Sequence, residues 1–196
     1  MILYFDTETT GLRPGQICQL TYIMQDSFGS IAKNFFFSVE SVDYSAFLVH
    51  GFSVQKLYAL SNGKVFSDFI TEIAQDFAYA DLIIAHNIDF DLSFMRAEFE
   101  RAGVQFKYKN SLCSMKTCVP ICKLPRSRGV GFKYPKLGEM LNYFGYTDCD
   151  IVAKERELFG MVTSAHDARY DTVALYMAVN KATAICPEFS IVKECL

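Results

Sequence analysis

The hydrophobic period of this chain first lengthens to helical spacing near Val54, and that change restricts its fold more than any other feature. Before it, apolar and β-branched residues come in short runs: Ile2 to Phe5, Ile17 to Met24 and Ile31 to Val39. The first run stops at Asp6-Thr7-Glu8-Thr9-Thr10-Gly11, where polar residues and a glycine predict the strand's end. Asp26-Ser27-Phe28-Gly29 separates the second and third as a hairpin turn, so the three strands form an antiparallel meander. After Val54 the spacing becomes helical, with Phe66, Phe69, Ile70, Ile73 and Phe77 on one face. Leu82 to Ala85 then reads as a buried strand, His86-Asn87 as a loop, and Asp91 to Ala102 as a helix closed by Gly103. Ser111 to Cys113 is a last short strand, and Leu137, Met140, Leu141 and Phe144 predict a helix stopped by Gly145. Steps of four and three through Ala168, Thr172, Leu175, Val179 and Ala182 predict a long helix from about Ala165, with Ser164 as N-cap and Pro187 beyond its end. Strands followed by strand-helix alternation make the chain α/β.

With 196 residues, 51% of them hydrophobic and eighteen of them Phe, the apolar material suffices for one well-buried core. No linker, internal repeat or low-complexity tract divides the chain, so one domain over residues 1–196 is expected, with a core over about 1–182 and a short tail. No run approaches the roughly 20 apolar residues that span a bilayer, and the N-terminus lacks a basic region and cleavage site. The expected compartment is the cytoplasm, without a membrane partner. A net charge of -3 argues against bulk attraction to nucleic acid, although a site made of carboxylates would itself lower that balance. Seven scattered cysteines fit reduced thiols. Cys113, Cys118 and Cys122 match no zinc spacing and are expected as small buried hydrophobes. Lys123 to Tyr134, with Pro125, Arg126, Arg128, Gly129, Gly131 and Lys133, is a basic glycine-containing loop, the best candidate for a mobile or ligand-touching element.

Acids stand at three separated places. Side chains alternate along a strand, so Asp6 and Glu8 point the same way if the first strand stays regular that far. Two carboxylates side by side repel each other and are best tolerated around a cation, for which oxygen ligands favour Mg2+ or Mn2+ over zinc. The bland alternative is a solvated strand end. In Ala85-His86-Asn87-Ile88-Asp89-Phe90-Asp91 an apolar strand again runs into a polar turn, where each acid by itself reads as a cap or a helix-dipole partner. In His166-Asp167-Ala168-Arg169-Tyr170-Asp171 the five-residue separation of His166 from Asp171 exceeds a helical turn. The two can share a site only if His166 lies in the loop or first turn.

In combination and order these residues resemble the DEDDh exonuclease family, that of the epsilon proofreading subunit of bacterial DNA polymerase III. Phe5-Asp6-Thr7-Glu8-Thr9-Thr10-Gly11-Leu12 is similar to the family's first motif, His86-Asn87 with Phe90-Asp91 to the second, and His166-Asp167-Ala168 with Asp171 to the third. Val49-His50-Gly51-Phe52-Ser53 resembles a turn found between the first two, and the likeness runs from residue 1 to about 182. The resemblance implies an RNase H-like fold, a mixed five-stranded sheet with its first three strands antiparallel and helices on both sides. It implies that Asp6, Glu8, Asp91 and Asp171 hold two divalent cations, Mg2+ or Mn2+, with His166 as general base, for 3'-to-5' hydrolysis of DNA to nucleoside 5'-monophosphates in proofreading or repair. Thr9, Leu12, His50 and Phe90 match residues that grip the terminal nucleotide, and Asn87 is expected to brace the site. Asp89 and Asp167 stand as alternatives to Asp91 and Asp171. The implied partner is single-stranded or 3'-terminal nucleic acid, with RNA the alternative substrate and an inactive binding module the alternative from outside the enzymes. Nothing after about Ala182 resembles a polymerase-binding extension, which favours a stand-alone enzyme.

Overall fold

The computed structural model describes residues 1–196 and has a five-stranded sheet at its centre. Strands β1 (Ile2–Thr9), β2 (Ile17–Gln25) and β3 (Ser30–Phe36) pair antiparallel; β4 (Leu82–Ala85) and β5 (Ser111–Cys113) run parallel to β1, in the order β3-β2-β1-β4-β5. This is the mixed sheet expected from sequence. The Asp26 turn is fixed by its own carboxylate, which accepts from the Phe28 and Gly29 amides at 2.8 and 3.1 Å.

One expectation fails inside the sheet. The first strand does not end at Asp6: it stays paired with β2 through Thr9, because Thr7 and Glu8 lie opposite Leu20 and Gln19 and their backbone groups have ladder partners. The polar residues end neither the pairing nor the burial, since Thr7, Glu8 and Thr9 are all buried.

Between β3 and β4 lie α1 (Tyr44–His50), α2 (Val54–Ser61), a 3-10 turn (Phe66–Phe69) and α3 (Ile70–Tyr79). The chain continues through α4 (Ile88–Arg101), the short α5 (Ser114–Thr117) and α6 (Val119–Cys122), α7 (Leu137–Tyr143), α8 (Asp148–Phe159), α9 (Ala168–Ile185) and α10 (Ser190–Glu194). The predicted helix over Phe66 to Phe77 therefore opens as a 3-10 turn. Two helices begin elsewhere than predicted. Asn87 is left-handed (φ 71°) and its carbonyl already bonds the Phe90 amide, so α4 starts at Ile88 rather than Asp91. His166 is left-handed too (φ 67°), so α9 starts at Ala168 with Asp167, not Ser164, as its cap.

Alternation along β1 divides the core. Ile2 and Tyr4, with Leu82 and Ile84, pack under α7, α8 and α9, whereas Leu3 and Phe5, with Ile83 and Ala85, pack against α3 and α4. On the second side the Phe77 ring lies 5.1 Å from Phe5 and 5.7 Å from Tyr22; losing a fully buried ring of this kind costs about 3 to 5 kcal/mol. Helices thus cover both faces. The residues after Ala182, read from sequence as a tail, belong to the first core through fully buried Phe189 and Val192, and the N-terminal amine donates to the Cys195 carbonyl at 2.7 Å. Cys118 and Cys122 sit in the same core as free thiols. No helix is long and apolar enough to cross a membrane.

Candidate active site

Because Asp6 and Glu8 share the side of β1 that carries Ile2 and Tyr4, they face α9, and Asp171 in its first turn meets them. Ligand oxygens of Asp6, Glu8 and Asp171 all lie within 4.8 Å of one another. The β1–β2 register shifts between Glu8 and Thr9, an irregularity directly after the two acids. Asp91 arrives from the opposite side. Thr7, which points that way between the two acids, donates to Asp91 Oδ1 through its hydroxyl at 2.7 Å and its amide at 3.2 Å. His166, exposed in the left-handed turn before α9, donates its own amide to Asp171 Oδ2 at 3.1 Å.

Burial, and then the charges of Asp171, Asp91 and Glu8, push the Asp6 carboxyl well above the carboxylate range. Burial followed by Asp171 and Asp167 pushes Glu8 up to about 9. Burial raises Asp91 to about 7 against the bonds from Thr7, and Asp171 to about 6 against the His166 amide. None of the four has a Lys or Arg partner: Arg169, on the same turn as Asp171, binds Asp167 at 2.7 Å instead. Crowded, desolvated carboxylates without a counter-charge suit a hard divalent cation, and an all-oxygen donor set suits Mg2+ or Mn2+.

The two alternative acids are otherwise engaged. Asp89 is exposed and pairs with Lys116. Asp167 is buried, yet bonds from Arg169 and Gln19 overcome that burial and hold it below the usual carboxylate value.

The cluster stands between two cavities. One, of about 330 Å³, is lined by Glu8, Thr9, Leu12, His50 and Phe90, so four residues predicted to grip a nucleotide surround one space beside a site carboxylate. The Phe52 amide donates to His50 Nδ1 at 3.0 Å; Nε2 therefore carries the hydrogen and donates to the Thr9 carbonyl at 3.2 Å. Burial lowers the His50 pKa, so the ring is neutral and rigidly aimed. Leu12 is 81% exposed, and Phe90 is half-buried with its ring 4.9 Å from Phe94, serving core and cavity together. Asn87 lies outside both cavities: its side chain is exposed without a hydrogen bond, and its part is to turn the backbone into α4. The second cavity, of about 680 Å³, joins Asp6, Asp171 and His166 to His86, Lys136 and Asn142. Sequence reasoning named neither Thr7 nor Lys136 for the site; strand alternation could have singled out Thr7 as the residue facing away from both acids.

No protein-family model and no curated protein sequence matches this chain. Solved structures do. An E. coli Exonuclease I complex with a 5cy-dT13 oligonucleotide superposes with a TM-score of 0.70 at 19% identity, over 98% of this chain and 43% of that one. The zinc-bound E. coli ExoI–ssDNA complex gives 0.69 at 20%, over 98% and 42%. The nuclease domain of 3'hExo, a DEDDh family member, bound to rAMP, gives 0.66 at 12%, over 95% of this chain and 92% of that one. The fold is that of the DEDDh nucleases. It is the RNase H-like arrangement expected from sequence, and the chain spans less than half of the ExoI chains.

Proposed function

We propose that the protein is a divalent-cation-dependent 3'-to-5' exonuclease that releases nucleoside 5'-monophosphates from single-stranded nucleic acid, with DNA as the leading substrate. One observation carries the reading: four crowded carboxylates without a Lys or Arg partner converge from β1, α4 and α9, and one of them, Glu8, lines a cavity of about 330 Å³ whose walls include Leu12, His50 and Phe90. A terminal nucleoside seated there brings the phosphate behind it to the carboxylates, and the small cavity selects a chain end over a chain interior.

Asp6, Glu8, Asp91 and Asp171 would hold the cations, and when bound these supply charge stabilisation for the attacking and leaving oxygens of an in-line displacement. The chain's own residues do the rest. Leu12 and Phe90 flank the base without reading it, as apolar and aromatic faces accept every base. Neutral His50 with Thr9 fixes the outer wall. His166, on its exposed turn, takes the proton of the attacking water, and its amide bond to Asp171 ties that turn to the carboxylate cluster. Thr7 keeps Asp91 oriented.

A DNA substrate agrees with the ssDNA complexes among the similar structures and would suit proofreading or repair; the rAMP-bound neighbour favours the second reading, an exoribonuclease. The test uses single-stranded DNA and RNA labelled at the 5' end, with Mg2+ or Mn2+. Stepwise shortening from the 3' end, lost on His166→Ala and Asp6→Asn, is expected. If neither polymer is shortened, the fold serves binding alone.

A further inference from the structure

The charges of this chain are segregated along the sequence. Nine of its nineteen Lys and Arg lie between Arg101 and Gly138, a stretch without a single Asp or Glu, while the remainder holds all twenty-two acids. The densest part is the segment between α6 and α7, Lys123 to Lys136. Its base is pinned as a hairpin: Pro125 bridges Phe132, the Lys133 amide donates to the Leu124 carbonyl at 2.9 Å, and Arg126 Nε donates to the Phe132 carbonyl at 3.1 Å. Gly129 and Gly131 (φ 83° and 101°) supply the left-handed residues of the tip. Its far end is held at the active site, where His86 Nε2 meets the Pro135 carbonyl at 3.0 Å and Lys136 lines the same cavity as Asp6 and Asp171.

The arm's cations are largely uncommitted. Within the whole acid-free stretch the ion pairs are Arg101–Glu98, Lys109–Asp81, Lys116–Asp89 and Lys133–Glu139, which leaves Lys107 outside the arm and Lys123, Arg126, Arg128 and Lys136 within it exposed and without an acidic partner. Apolar residues are exposed among them. Phe132 is 42% and Tyr134 59% accessible, and both line an open concavity of about 790 Å³ together with Arg126, Arg128 and Lys133. Uncommitted cations alternating with exposed rings complement a flexible polyanion carrying bases, since phosphates take the cations and bases stack on the rings. The chain's net charge of -3 makes a nonspecific role for this one positive surface harder to sustain.

We infer that this arm is a binding track for the single strand behind its 3' end, running from Lys136 at the carboxylate cavity to Arg126 and Arg128 at the hairpin. The inference rests on the exonuclease reading for its direction, because the nucleotide pocket lies on the other side of the carboxylates. It gives the enzyme a preference for long single strands over short ones, through attachment well away from the bond being cut.

The test is fluorescence anisotropy with labelled dT12 in EDTA, on an Asp171→Asn background that cannot degrade the probe, with and without Arg126→Ala/Arg128→Ala. Removing two phosphate contacts should lower the slope of log K against log salt by about 1.4 and weaken binding about tenfold or more at about 50 mM salt. Phe132→Ala should weaken binding by about tenfold and leave the slope unchanged. On the active protein, the double variant's loss in kcat/KM should grow from dT2 to dT12 and be carried by KM. A double variant with the parent's affinity and slope, or a parent that does not bind dT12, overturns the track. Binding through the arm without any release of nucleotides would sink the exonuclease reading and leave the track standing.

Discussion

Thr7 has the smallest side chain with a decisive position in the site. Its hydroxyl and amide both reach Asp91 Oδ1, so it fixes a carboxylate that comes from the opposite side of the sheet. Thr7→Val preserves the branched shape that a strand favours and removes only the donor; cation affinity should fall about 10- to 100-fold, read by Mn2+ titration, and Thr7→Ser should restore most of it. Asp89→Ala makes the opposite control. That side chain pairs with Lys116 in solvent, so activity should match wild type and stability should change by less than about 0.5 kcal/mol. His166 separates function from stability. It is exposed and held at φ 67°, a conformation that glycine adopts without strain. His166→Gly should slow hydrolysis about 10²- to 10⁴-fold with no loss, or a small gain, in urea resistance. The Asp6 and Glu8 pairing was legible from alternation on the condition that the strand ran on past Asp6, which the pairing of β1 with β2 through Thr9 meets. Which acid of Asp89 and Asp91 joins them was not, since it depends on which one turns toward Thr7 across the sheet.

Elements were legible where one face carried the burial. β4 and α3 show an unbroken apolar run and an apolar stripe, and β1 and β2 are mostly apolar, so their places follow even though the end of β1 does not. Among the helices that escaped notice, two did so for the converse reason. α1 buries no residue, and α8 buries only Ile151 and Glu155, the latter as an acceptor for the Thr163 amide and hydroxyl, so neither has an apolar stripe to find. Helix starts were misread where backbone chirality decides them, since no spacing rule reveals that Asn87 and His166 are left-handed. At α9 the consequence is measurable. Asp167 caps the helix, accepts from Gln19 and pairs with a buried Arg169 whose guanidinium has no other carboxylate. Asp167→Ala should destabilise the protein by about 3 kcal/mol in urea denaturation, because it strands a buried cation; Asp167→Asn, which keeps an acceptor for the cap, should cost less.

At the scale of the whole molecule, the carboxylate cluster is a liability to the fold unless a cation neutralises it. Asp6, Glu8, Asp91 and Asp171 all have folded-state pKa values raised above their ordinary carboxylate values, to about 9, 7 and 6 for the last three. Between the ordinary value near 4 and these raised values the folded protein binds more protons than the unfolded chain, so the slope of unfolding free energy with pH is negative. Cation-free protein should therefore lose thermal stability as pH climbs from about 5 to about 9, the reverse of a fold whose carboxylates are salt-bridged. Mg2+ or Mn2+ competes with those protons and binds the folded state alone. At roughly a hundred times its dissociation constant it should add about 2.7 kcal/mol, or roughly 5 to 10 °C in Tm for a chain of this size. Because cation uptake releases protons, the apparent affinity should tighten with rising pH. Asp171→Asn separates this origin from any other: with one acid removed, the cation-free protein should be more stable than wild type at pH 8, its Tm should vary less with pH, and added cation should raise it little. Melting curves in EDTA and in Mn2+ at three pH values measure all of these together, and a wild-type Tm in EDTA that rises between pH 5 and 8 would refute the account.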